Sequence, residues 1–134
     1  MSLINIRYVV SIALVLMFIT GCTKSEMTDS ITSIELECRN PIPEVKCENQ
    51  SFNDNESLRI FEEAINTAVE IPGNLNYSAE YSMTITYSNH VTKNYDLSLG
   101  SDRTMKGLLV DQVNTSQGYE ISVDYANKLR DLVY

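Results

Sequence analysis

Apolar and polar positions fall into one long block at the start of the chain and into short periods after it. From Tyr8 to Ile19 the sequence is an apolar run, led by a single cation at Arg7 and followed by Thr20-Gly21-Cys22. Downstream, Ile34, Leu36 and Cys38 alternate with Glu35, Glu37 and Arg39, the period of a strand with one buried face. Asn40-Pro41-Ile42-Pro43 breaks that strand, because proline cannot donate to a ladder. A short strand around Val45–Cys47 would make Cys38 and Cys47 partners across a hairpin.

Leu58, Phe61, Ala64, Ile65, Ala68 and Val69 recur at helical spacing, with Arg59, Glu62, Glu63, Asn66 and Glu70 on the other side. Asn53-Asp54-Asn55-Glu56 has the form of a helix start, an Asn cap with Glu three residues on. A calcium loop is the alternative for this acidic cluster, but the D-x-[DN]-x-[DN]-G spacing and the distal Glu are missing. Pro72-Gly73 ends the helix. Period-2 strands follow at Tyr81–Tyr87 and Asn94–Leu99, joined by the turn Ser88-Asn89-His90. Lys106–Val113 and Tyr119–Ile121 give two more, and Ser122 caps a last helix carrying Tyr125, Leu129, Leu132 and Val133 on one side. Strands and helices in separate runs predict an α+β fold: a small antiparallel sheet with two helices packed on one face.

The leading block changes the picture of where this domain resides. A cationic head, an apolar middle and small residues before a cut form a secretory leader. As a helix, Tyr8–Thr20 would span about 20 Å at ~1.5 Å per residue, short of the ~30 Å hydrocarbon layer, so a permanent span is the weaker reading. Ile19-Thr20-Gly21-Cys22 resembles the bacterial lipobox. That resemblance implies cleavage between Gly21 and Cys22 and transfer of a diacylglycerol to the Cys22 thiol, with two acyl chains holding stably where one is marginal. The chain then divides into a signal peptide at 1–21, a lipidated cysteine and flexible tether at 22–30, and one α+β domain at 31–134. The expected location is the extracytoplasmic face of the cell membrane.

Charge narrows the partners. The net charge is −8 at pH 7, and removing residues 1–21 takes away one arginine and no acid, moving it to −9. Such a surface argues against nucleic acid and against electrostatic adhesion to anionic lipid. Outside the cytoplasm Cys38 and Cys47 form an even pair that can oxidise, and this is favoured over two reduced thiols. A metal site there is not expected, since no His or third Cys lies nearby.

The spaced residues Ala64-Ile65 through Pro72-Gly73, Tyr81–Tyr87, Tyr95-Asp96-Leu97, Gly107–Asp111, Tyr119–Ser122 and Leu129 resemble small lipoproteins of Bacillus-type Gram-positive bacteria. The pattern is similar to the YhfM-like domain and covers about residues 57 to 133. The resemblance brings no activity and no catalytic residue with it.

No catalytic constellation or cofactor motif is seen. His90 is the only histidine and falls in a turn, where a triad or metal centre would need partners brought by folding. Gly-rich phosphate loops are absent and there is no Trp. Two function classes remain. One is a tethered binding or accessory module for a protein or cell-wall component, with Tyr77, Tyr81, Tyr87, Tyr95 and Tyr119 as contact candidates that packing also explains. The other is a small secreted-side hydrolase or its inhibitor, for which a cleft joining His90 to two carboxylates would speak. A two-lobed solute-binding protein would need a longer chain.

Overall fold

A computed structural model describes residues 29–73 and 75–134. The expected signal peptide at 1–21, the cleavage pair Gly21 and Cys22, and the tether as far as residue 28 lie outside the described residues.

The strands are β1 (Ile31–Cys38), β2 (Gln50–Phe52), β3 (Val69–Pro72), β4 (Tyr81–Tyr87), β5 (Thr92–Ser98), β6 (Gly107–Asp111) and β7 (Gln117–Ile121). Helices α1 (Asn55–Asn66) and α2 (Val123–Val133) complete the domain. The strands form one seven-stranded sheet in the order β2-β1-β4-β5-β6-β7-β3, every neighbouring pair antiparallel. The α+β expectation, an antiparallel sheet with two helices, holds. The sheet is larger than the sequence pattern indicated.

Alternation decides which strand faces are buried. In β4, Tyr81, Met83 and Ile85 are at most 1% exposed, while Ser82, Thr84 and Thr86 are half-buried on the other face. Register carries this across the sheet: Met83 lies opposite Leu36 and Tyr95, and Tyr81 opposite Leu97. These core positions form one hydrophobic cluster with Leu58, Phe61 and Ala64 of α1 and with Ala126, Leu129 and Val133 of α2. Ser122 caps α2 by accepting from the Tyr125 N–H, as the pattern predicts.

Three local expectations shift. The cap of α1 is Asp54 rather than Asn53, its carboxylate accepting from the Ser57 N–H at 2.9 Å. The helix stops at Asn66, where the Thr67 N–H and hydroxyl both turn back to the Glu63 carbonyl. Val69–Pro72 then pairs with β7 instead of extending the helix. Finally, the strand expected at Val45–Cys47 forms at Gln50–Phe52, so Cys47 is a loop residue and the cysteines are not cross-strand partners. The structure joins Cys38 to Cys47 by a disulfide with a Cα–Cα separation of 5.6 Å.

Helix α1 carries the chain from one edge of the sheet to the other, since β2 and β3 are the two edge strands. On the way to β4, residues 75–80 run over the face opposite the core. Tyr77 Oη donates to Asp96 Oδ2 at 2.9 Å, and Ser98 Oγ donates to the Ser78 carbonyl. Leu75 lies against Gly118, where any Cβ would collide with it. Val110, on this face, is fully buried as a result.

Candidate functional site

Since residues 75–80 touch Asp96, Ser98 and Gly118 but come back into the sheet at β4, they leave the β2-β1-β4 part of this face open. A shallow groove of about 420 Å³ lies there, lined by side chains including Glu35, Glu37, Asn49, Ser51, Ser82 and Thr84. Its geometry follows from the register. Glu35 lies between Ser51 of β2 and Thr84 of β4, and Glu37 opposite Ser82. Both glutamates are exposed, and among the described residues neither forms an ion pair. Two carboxylates at two-residue spacing, beside hydroxyls and amides, can accept hydrogen bonds and attract cations.

A polar network separates the open half from the covered half. Gln112 Nε2 donates to Ser82 Oγ and Asp96 Oδ1, both at 2.8 Å. Arg39 reaches the same pair, donating to Ser82 Oγ at 3.3 Å and lying 3.6 Å from Asp96 Oδ1. Burial, then the bond to Asp96, pushes the Tyr77 hydroxyl above its ordinary pKa. Sequence reading offers Tyr77 as a contact candidate but gives no such role to Arg39, Asp96 or Gln112. Their only signal is polarity, Asp96 on the outward face of β5 and Arg39 and Gln112 just past the ends of β1 and β6.

A second polar cluster lies at the far edge of the core, where Glu80 and Arg130 are 6% and 2% exposed. The Glu80 carboxylate accepts from the N–H groups of Leu99 and Gly100 and from the Tyr134 hydroxyl. The Arg130 guanidinium donates to the carbonyls of Leu99, Gly100 and Met105. Burial pushes Tyr134 up and Arg130 down. All these bonds end on backbone or on each other, so the cluster reads as a clamp on a loop.

The other sequence candidates are spread through the fold. His90 sits exposed in the β4–β5 turn with φ +66°, its N–H bonded to the Tyr87 carbonyl. Tyr81 is fully buried, and Tyr87, Tyr95 and Tyr119 are half-buried against the core, so packing occupies most of the tyrosine surface. Among the described residues no group of three or more His, Cys, Asp or Glu is placed to hold a metal ion. Nor is any described helix long and apolar enough to cross a membrane.

The profile of the family described as "YhfM protein" matches residues 43–134. No curated protein and no solved structure matches the chain.

Proposed function

The chain belongs to the YhfM protein family, and from that premise we propose that it is a membrane-anchored extracytoplasmic lipoprotein, a binding or accessory module for a protein or cell-envelope component. The anchor is the lipid on Cys22, and its support is the layout of head, apolar run and lipobox in residues 1–22. In this reading both helices lie on one face of the sheet and the partner contacts the other. The observation that carries the binding role is the open groove beside Glu35 and Glu37. Its polar and acidic lining suits a segment rich in hydroxyl or cationic groups. His90, isolated in an exposed turn, lends the hydrolase reading no support.

Two experiments test the two halves. Fatty-acid labelling should mark the wild type and not Cys22→Ala; an unlabelled wild type removes the anchor. A photo-crosslinking residue at position 84, in the groove, should capture a membrane-fraction partner that the same residue at position 128, on the exposed face of α2, does not. Equal capture at both positions, or at position 128 alone, removes the groove as the contact.

A further inference from the structure

The start of the domain lies at one end of the sheet. The Ser30 carbonyl accepts from the Ser88 N–H, and Asp29 accepts from Asn89 at 2.6 Å, so the chain enters the domain beside the β4–β5 turn. Antiparallel pairing puts the β6–β7 turn at the same end, two strands or about 10 Å to the side at ~4.8 Å per strand, and set back along the strands because Asp111 ends β6 opposite Tyr95. Each turn carries an exposed valine: Val91 is 50% and Val113 is 93% exposed. Valine is a residue of strands and cores rather than turns, and here both turns are built to hold it out. Asn89 Oδ1 accepts from the Val91 N–H. Asp111 Oδ1 accepts from the N–H groups of Val113 and Asn114, which folds that carboxylate back under the tip.

From Cys22 to Asp29 the chain can reach at most about 25 Å when extended. We infer that this end of the domain faces the lipid bilayer, with the β4–β5 and β6–β7 turns resting Val91 and Val113 in its interfacial layer. The inference rests on the lipid anchor proposed above. A contact of two valines is weak for a free protein, but a short tether makes it intramolecular, so little attraction is needed to set an orientation. Asp29 and Asp111 each accept hydrogen bonds from the turn residues, Glu62 of α1 faces Tyr87, and Lys93 lies over the Tyr87 ring at the same end. The opposite end also exposes apolar side chains, Met105 at 58% and Val69, across from Glu120 at the start of β3, at 65%. Met105 stands among Arg103, Lys106 and Asp102 and offers the competing orientation.

The chain has no tryptophan, so single substitutions Val91→Trp, Val113→Trp and Met105→Trp each add one probe at an exposed site. The full lipidated protein, purified in detergent, is reconstituted into phosphatidylglycerol–phosphatidylethanolamine vesicles with brominated acyl chains. Indole fluorescence of the Val91→Trp and Val113→Trp variants should be quenched relative to unbrominated vesicles, and that of Met105→Trp should be unchanged. Protein that floats with the vesicles but shows no quenching at positions 91 and 113, or quenching at position 105 instead, overturns the orientation and leaves the anchor standing. Protein that does not float overturns both.

Discussion

Glu80 and Arg130 hold opposite polarities of the same two residues: the carboxylate takes the N–H groups of Leu99 and Gly100, and the guanidinium takes their carbonyls. Glu80 directly precedes β4 and Arg130 lies in the last turn of α2, so the loop after β5 is gripped from the sheet and from a helix at once. The positive φ of Gly100, +65°, lets the backbone present both groups at this corner. A buried charge is tolerated here because every polar group it displaces from water is matched.

Glu80→Ala is expected to destabilise the fold by roughly 3 kcal/mol, since it leaves the N–H groups of Leu99 and Gly100 unmatched in a buried corner. Glu80→Gln should cost nearly as much. Both carboxylate oxygens accept, and an amide would turn an NH₂ toward one of the donors. Urea unfolding of the two variants measures this; a Gln variant as stable as wild type would show that the oxygens do not both serve.

Gly118 keeps the return segment seated. Its missing side chain is the space that Leu75 Cδ1 occupies on the face opposite the core. Gly118→Ala should therefore destabilise by about 1–2 kcal/mol through displacement of Leu75, and much of that loss should vanish in a Leu75→Ala background. The expected signature is non-additivity in a double-mutant cycle of denaturation midpoints. Additive losses would place the strain elsewhere.

The alternation at Ile34–Cys38 and Tyr81–Tyr87 made these strands legible, because a buried face writes itself into period 2 over several residues. Val69-Glu70-Ile71 is too short for that. Three residues fit the end of a helix as well as a strand, and the deciding partner, β7, lies about fifty residues away. Residues 50–52 were missed for the same reason: Gln-Ser-Phe has no pattern, and its place follows from pairing with β1. The groove depends on where residues 75–80 cross, a tertiary fact with no local trace. Arg130 has a positional signal, four residues after Ala126 and one after Leu129, on the inward side of α2.

The Cys38–Cys47 bond closes a short loop just past β1. Cys38→Ala/Cys47→Ala should lower stability by roughly 2.5–3 kcal/mol in the chain-entropy model, with the fold retained because both cysteines pack at the margin of the core cluster and are not among its buried residues. Thiol titration of the denatured native protein without reductant should find neither cysteine free. Comparison of urea midpoints with and without reductant then gives the stabilisation directly, and equal midpoints would mean that the loop is held by other contacts.

Alkaline pH tests the half-buried tyrosines. Burial, reinforced by the neighbouring Tyr87, Asp111 and Tyr119, pushes Tyr95 up to about 12 from the ordinary 10. Burial also raises Tyr87. A tyrosine that holds its proton more tightly when folded contributes stability that is fully present below pH 10. Between pH 10 and 12 the unfolded chain has released protons that the folded one retains, so stability falls as pH rises. Wild-type urea midpoints should thus be flat up to about pH 9 and decline above pH 10. Tyr95→Phe has no hydroxyl to ionise, so its decline should be shallower over the same window, with no difference in slope below it. Parallel curves for wild type and variant at about pH 10 to 11 would mean that Tyr95 ionises alike in both states, and that its ring meets water more freely than its place between β4 and β6 implies.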